Sequence, residues 1–331
     1  MSANDSRYMR AALSLAARGR GLASPNPNVG CLIVGEGRVV GSGWTQAGGR
    51  PHAEAIALEQ AGEAAAGADL FTTLEPCAHE SLRGPACTDL ILTAKPARVI
   101  AALEDPDPRT AGQGLARLRA GGIEVVTGVC AELALREHAG FFVRQREGRP
   151  RVTLKLATSI DGRVSLASGD SQWITGTEAR AHAHLIRSEV DLILIGRGTL
   201  EADDPSLTVR LPGLEARSPR PAVMSATLAE IPRAAKIAKR DPLILRGPAD
   251  FRGLPYNDIL VEGGAGLAGS LLAADMVDRL MIYRAPILIG DHAPGIGQLG
   301  LDRLMDAHDR WALRQSRPLG KDHLEIYART S

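Results

Sequence analysis

Aromatic residues make up only 3% of this 331-residue chain. The core is therefore expected to be aliphatic and alanine-rich, and few rings remain on which single-stranded nucleic acid could stack. Neither charge sign is in excess, with 39 Lys and Arg against 38 Asp and Glu. That excludes a strong global polyanion binder, although a local basic patch survives such averaging. No nucleic-acid partner is expected. No apolar run approaches the roughly 18 residues needed to span a bilayer. The best candidate, 280–290, is broken by Arg284 and Pro286, so no membrane partner is expected either. The N-terminus is polar up to Tyr8 and carries no signal-peptide apolar stretch. The four cysteines, Cys31, Cys77, Cys87 and Cys130, are too few and too scattered for a disulfide scaffold. They fit a reducing, cytoplasmic compartment, where cysteine pairs more often serve metals or catalysis.

At about 150 residues per domain, the length suggests two domains. In the first part, helical spacing predicts helices over 6–18, 53–66, 88–93, 115–119 and 131–138. Short apolar runs predict strands over 29–34, 38–44, 69–74, 98–103 and 123–127. Strands of this kind alternating with helices predict a three-layer α/β fold. The charged stretch 144–150 ends in Pro150 and marks the best boundary, giving domains 1–147 and 148–331. The second part predicts strands over 152–157, 192–196, 259–261 and 279–283, with helices over 178–187 and 267–273. A last strand over 324–328 is expected to close its sheet.

Pro51-His52-Ala53-Glu54 opens a predicted helix, Pro76-Cys77 follows a strand, and Cys87 opens the next helix. One imidazole and two thiolates make a catalytic zinc set, with a fourth position left for water. Helix N-termini favour thiolates, which suits such ligands. Zinc lowers the pKa of its water, and a carboxylate beside it, Glu54, can shuttle protons. His-x-Glu followed by Pro-Cys and a second Cys is the signature of zinc deaminases. Two blander readings stand beside this one. The three residues could be unrelated, or His79 could complete a closed structural site with no room for chemistry. Cys31 and Cys130 read as buried small hydrophobes.

In the second part, Ile259-Leu260-Val261-Glu262-Gly263-Gly264-Ala265-Gly266 is a strand running into a glycine-rich turn before a helix. Backbone N–H groups at such a turn can hold phosphate. The pattern is not Gly-x-Gly-x-x-Gly, and tight packing alone explains many such turns. Lys155 lies in an apolar strand, where an unpaired charge is costly; a snorkelling or salt-bridged lysine is the plain reading. Trp173 alone reads as core, and Arg187 and Arg210 as solvated or paired surface charges.

Taken together, Asn26-Pro27-Asn28-Val29-Gly30, His52-Ala53-Glu54 and Thr73-Leu74-Glu75-Pro76-Cys77-Ala78-His79 resemble the pyrimidine deaminases of riboflavin biosynthesis. Leu154-Lys155-Leu156-Ala157-Thr158-Ser159-Ile160-Asp161-Gly162, Ser171-Gln172-Trp173-Ile174-Thr175, Asp203-Asp204-Pro205-Ser206-Leu207-Thr208-Val209-Arg210 and Val261-Glu262-Gly263-Gly264 resemble the fused reductase. The resemblance covers nearly the whole chain, in the family's order. It implies a bifunctional enzyme with a cytidine-deaminase-like N-terminal domain and a dihydrofolate-reductase-like C-terminal domain. It also implies one zinc per chain on His52, Cys77 and Cys87, with Glu54 catalytic. It places NADPH against Ala157, Trp173, Thr199, Asp203, Gly264, Ala265 and Gly266. It makes Asn26, Lys155, Ser171, Arg187, Leu207, Arg210 and Glu262 contacts to a phosphoribosyl pyrimidine, an arginine fork suiting phosphate. A homo-oligomer is expected. The chain departs from the family's pattern at Thr45, where a His is usual, at Ser225, where an Asp is frequent, and in the longer segment 80–86. A nucleoside or tRNA deaminase with an unrelated appended domain, and a non-catalytic zinc- and nucleotide-binding regulator, remain competing readings.

Overall fold

A computed structural model describes residues 3–79, 83–290 and 293–330. The chain divides into two compact units, Met1–Gly148 and Arg149–Ser331.

The N-terminal unit is built on a five-stranded sheet of order β2-β1-β3-β4-β5. Its strands are β1 (Gly30–Gly35), β2 (Arg38–Trp44), β3 (Asp69–Thr72), β4 (Arg98–Ala101) and β5 (Glu124–Thr127). β1 is antiparallel to β2 and β3, and β3, β4 and β5 run parallel. Glu36 and Gly37 have φ of 51° and 75° and join β1 to β2 as a two-residue hairpin. The helices are α1 (Ala3–Ala16), α2 (Ala53–Ala61), α3 (Cys87–Ala94), α4 (Gln113–Ala120), α5 (Ala131–Glu137) and α6 (Ala139–Glu147). Alternate residues of β1 feed two cores. Cys31 and Ile33 pack with Ala53, Ala57 and Ala61 of α2, and Leu32 and Val34 with Met9, Ala12 and Leu13 of α1. This is the expected three-layer arrangement.

Two glycines of β2 position the first site. A Cβ at Gly41 would stand 2.1 Å from the Ala57 carbonyl oxygen, and one at Gly43 would stand 2.3 Å from that of Ala53. The backbone of α2 therefore lies directly on β2, and its N-terminus is fixed against the sheet.

The C-terminal unit holds an eight-stranded sheet of order β12-β13-β11-β6-β10-β7-β8-β9. These strands are β6 (Arg151–Thr158), β7 (Leu192–Gly196), β8 (Arg220–Met224), β9 (Leu243–Leu245), β10 (Asp258–Val261), β11 (Arg279–Arg284), β12 (Trp311–Leu319) and β13 (Asp322–Arg329). From β11 to β9 all neighbours are parallel, and β13 is antiparallel to both β11 and β12. Helices α7 (Thr177–Arg187), α8 (Arg197–Asp203) and α9 (Ala265–Ala273) complete it. Leu192 and Leu194 face one core, Ile193 and Ile195 the other.

Several expectations need correction. The strand near 324–328 does not close the sheet, because β13 lies inside it and β12 forms the edge. β12 has no continuous apolar run, because the exposed polar residues Arg314, Gln315 and Ser316 interrupt it. β8 carries Pro221, which argues against a strand by pattern, and β9 has only three residues. The charged boundary stretch begins inside α6, whose last turn takes Arg144–Glu147. Cys130 is half-buried rather than core, and its thiol donates to the Ser6 carbonyl.

Candidate functional site

His52 occupies the position just before α2, which puts its ring at the fixed N-terminus of that helix and Glu54 in the first turn. Cys87 is the first residue of α3. Cys77 lies in the segment after β3, held by the buried carboxylate of Glu75. That carboxylate accepts the backbone N–H groups of Asp105 (3.1 Å), Gly112 (2.9 Å) and Leu115 (3.1 Å). Sequence reasoning passed over Glu75, although a carboxylate next to Pro-Cys was there to be asked about.

The three candidate ligands converge. His52 Nδ1 lies 3.2 Å from Cys87 Sγ and 3.5 Å from Cys77 Sγ, and the Cys87 N–H donates to Cys77 Sγ at 3.2 Å. All three ligand atoms lie within 4.8 Å of one another. One nitrogen and two thiols on separate elements, none in a disulfide, fit zinc. Hydrogen bonding with Cys87 holds the Cys77 thiol well below its usual pKa, against the opposing effect of burial. The same hydrogen bond, with burial, raises that of Cys87. Glu54 is buried beside the cluster, its Oε2 3.5 Å from Cys87 Sγ and its Oε1 3.4 Å from Thr72 Oγ1. Burial raises its pKa.

His79 pairs instead with Thr110 Oγ1 at 3.3 Å, and the cluster found among the described residues does not include it. Asn26 lies over the backbone of Gly49, where a Cβ would stand 1.8 Å from its Nδ2. Thr45 is a structural residue, its hydroxyl accepting the Val29 N–H at 2.9 Å. Of the segment 80–86, residues 80–82 lie outside the described residues. A cleft of about 360 Å³ opens beside the cluster, lined by Arg50, His52, Arg83 and Cys87 among others. Neither arginine was singled out from sequence.

In the C-terminal unit a cleft of about 600 Å³ opens at the C-terminal ends of β6, β10 and β7. It is lined by six of the seven residues expected to meet NADPH: Ala157, Trp173, Thr199, Asp203, Gly264 and Gly266. It is also lined by Lys155, Ser171, Arg187, Arg210 and Glu262. Ala265 is not on this wall; its carbonyl accepts the Gly297 N–H at 3.0 Å. Leu207 is buried in the core with φ of 52°. Trp173 is no core residue: it is 63% exposed, with Arg180 stacked 4.9 Å over its ring. The cleft suits a dinucleotide, because Cβ atoms added at Gly198, Gly264 and Gly266 would meet nothing within 4 Å. Backbone there is open to close approach.

Glu262 organises the charges. Arg187 grips it with Nε at 2.7 Å and Nη2 at 2.9 Å, while Nη1 donates to the Thr208 carbonyl at 3.0 Å. Lys155 Nζ lies 3.7 Å from the same carboxylate and 5.8 Å over the Tyr283 ring. Burial alone would raise the Glu262 pKa, but Arg187 and Lys155 bring it down to about 2. Lys155 is thus both salt-bridged and in the cleft. His184 also lines the cleft and accepts the Arg210 N–H at 3.3 Å. Burial, then Arg187 and Arg210, lower its pKa to about 4. Sequence reasoning missed Arg180 and His184, yet their spacing with Arg187 puts all three on one face of α7.

Two family models match the chain. One describes the cytidine and deoxycytidylate deaminase zinc-binding region and covers residues 2–103. The other describes the RibD C-terminal domain and covers residues 150–250 and 251–324. The riboflavin biosynthesis protein RibD of Escherichia coli K12 is 39% identical, over 96% of this chain and 97% of its own. The chain belongs to the RibD family. RibD of Mycobacterium tuberculosis H37Rv is 38% identical over 92% of this chain and 91% of its own. Among solved structures, Acinetobacter baumannii RibD has a TM-score of 0.87 at 33% identity, covering 99% of both chains. A Thermotoga maritima deaminase/reductase has a TM-score of 0.88 at 28% identity, covering 98% of this chain and 99% of that one. The chain is therefore a bifunctional enzyme of riboflavin biosynthesis, a zinc-dependent deaminase joined to an NADPH-dependent reductase. A match through the C-terminal half removes the reading of an unrelated appended domain. No helix among the described residues is long and apolar enough to cross a membrane.

Proposed function

We propose that residues 1–147 hydrolyse an amino group from 2,5-diamino-6-(5-phosphoribosylamino)pyrimidin-4-one, and that residues 148–331 then reduce the ribosyl group to ribityl. The convergence of His52, Cys77 and Cys87 beside a buried Glu54 carries the first half of this reading. These three residues would hold one zinc, which supplies a Lewis acid that makes hydroxide available at neutral pH. Glu54 takes the proton from the attacking water and gives it to the departing nitrogen. Water adds at the amino-bearing carbon, the C–N bond breaks, and ammonia leaves. Asn26 would orient the pyrimidine from above Gly49.

In the second half NADPH supplies the hydride when bound. Ala157, Trp173, Thr199 and Asp203 would flank the nicotinamide side, and the Gly264–Gly266 turn the phosphates. Lys155, held by Glu262, would meet the sugar. Arg210 with Ser171 would hold the 5′-phosphate, and Arg187 would act on it chiefly by holding Glu262. Leu207 contributes through the backbone course of its segment. A cytoplasmic homo-oligomer without nucleic-acid or membrane partners completes the proposal; near-neutral charge and scarce aromatics support the absence of a nucleic-acid partner.

The test supplies the diaminopyrimidine with zinc and NADPH and follows ammonia and NADPH together. One ammonia released per NADPH oxidised is expected. NADPH oxidation without ammonia release would contradict the order of the two steps.

A further inference from the structure

The segment that carries Ser171 and Trp173 to the C-terminal cleft has no core of its own. Upstream of it, the Val164 N–H donates to the Ala293 carbonyl at 3.1 Å. Downstream, Thr175 is buried, and the Gly176 N–H just before α7 donates to Asp322 Oδ2 at 2.6 Å. Between these fixed points no residue from 165 to 174 is buried. The hydrogen bonds of the stretch are local. The Leu166 N–H donates to the Asp170 carbonyl at 2.9 Å, the Gly169 N–H to the Leu166 carbonyl at 3.0 Å, and the Gln172 N–H to Asp170 Oδ1 at 3.2 Å. Few buried contacts and exposed backbone hydrogen bonds make such a stretch easy to displace.

One side chain reaches it from a rigid element. α7 is tied to the core through Ala179 and Ile186, and its Arg187 grips Glu262. Arg180 lies two turns before Arg187, on the same face. Its guanidinium carbon stands 4.9 Å over the Trp173 ring, and its Nη1 donates to the Thr175 carbonyl. Trp173 is 63% exposed and lines both the cleft and a neighbouring hollow of about 440 Å³, so apolar packing does not fix its ring. A planar guanidinium can, because it stacks on an aromatic face while donating in its own plane. We infer that Arg180 is a positioning residue of the reductase site, which fixes the Trp173 indole as the wall against which the nicotinamide of NADPH lies. This rests on the proposed place of Trp173 beside that ring. Both contacts of the guanidinium are to the segment itself, which sets Arg180 apart from an arginine held ready for a phosphate.

The test uses the full chain with Arg180→Ala, Trp173→Ala and the two together. The dissociation constant of NADPH is measured by equilibrium dialysis and the substrate KM by NADPH oxidation. Emission of Trp173 without ligand is taken as the difference from the same chain carrying Trp173→Phe. Arg180→Ala is expected to shift that emission to longer wavelength, toward a fully solvated indole, and to weaken NADPH about five- to tenfold. Trp173→Ala should weaken NADPH by a similar factor, and the double variant no further, because Arg180 acts through the indole. Unchanged emission in Arg180→Ala, additive losses in the double variant, or a loss confined to the substrate KM, which would make Arg180 a ligand of the substrate, overturns the inference. The underlying placement has its own readout. If Trp173→Ala leaves NADPH affinity unchanged while Arg180→Ala still shifts the emission, the nicotinamide does not lie at Trp173 and that placement falls, whereas Arg180 stands as the anchor of the segment.

Discussion

The N-terminal site gathers an imidazole and two thiols, donors that a shared cation satisfies together, from the starts of two helices and one loop. The C-terminal site does the reverse. Its buried carboxylate, Glu262, is already gripped by Arg187 and approached by Lys155 within the protein. The contrast teaches what each half asks of its ligand. The deaminase half presents three converged donors whose charges and lone pairs a metal would satisfy. The reductase half is preassembled by its own ion pairs, and the ligand meets charges whose geometry is fixed beforehand.

The sharpest way to break this comparison is Glu54→Gln. Loss of a positioned acid–base group should slow ammonia release by about 10²–10⁴-fold. NADPH oxidation of the deaminated intermediate should continue unchanged. Loss of both activities in a folded variant would mean one composite site. Next comes Arg187→Ala. Removing one partner of a buried ion pair costs about 3–5 kcal/mol, here toward the lower end because Lys155 remains near Glu262. Urea unfolding should show that loss, and a change under about 1 kcal/mol would return Arg187 to the role of a ligand-only group.

A pH effect sharpens the comparison from the other half. His138 is fully buried, and burial brings its pKa down to about 4 from 6.5. The unfolded chain takes up the proton that the folded one refuses. Its stabilising contribution is thus complete above pH 6.5 and is lost as pH falls toward 4, by about 3 kcal/mol. His138→Gln should flatten that slope in a pH series of unfolding midpoints. Arg210→Ala should have the smallest effect on stability, under about 1 kcal/mol, since this side chain is exposed. Its effect should appear as a raised substrate KM, measured beside an unchanged midpoint.

Sequence made the two halves unequally legible. His52, Glu54, Cys77 and Cys87 were readable because each sits at a local signal, a helix start or a strand end, and metal chemistry restricts the residue types. The continuous apolar run 29–34 likewise marked a strand buried on both faces, and its residues do feed two cores. Arg187, Lys155 and Glu262 were named by resemblance, but their mutual pairing was not visible, since 75 residues separate Arg187 from Glu262. Glu75 was missed for a similar reason. Its partners lie 30 to 40 residues away and are backbone N–H groups, which no side-chain pattern reveals. β12 left no trace because an edge strand with exposed polar residues has neither apolar run nor clean alternation.

The central claim is that the metal serves only the N-terminal half. Zinc should be removed from the whole enzyme by a chelator, and both reactions followed, each with its own substrate. The account predicts that ammonia release stops and returns on adding zinc, while NADPH oxidation of the deaminated intermediate proceeds at its original rate throughout. A parallel fall and recovery of both rates would contradict it.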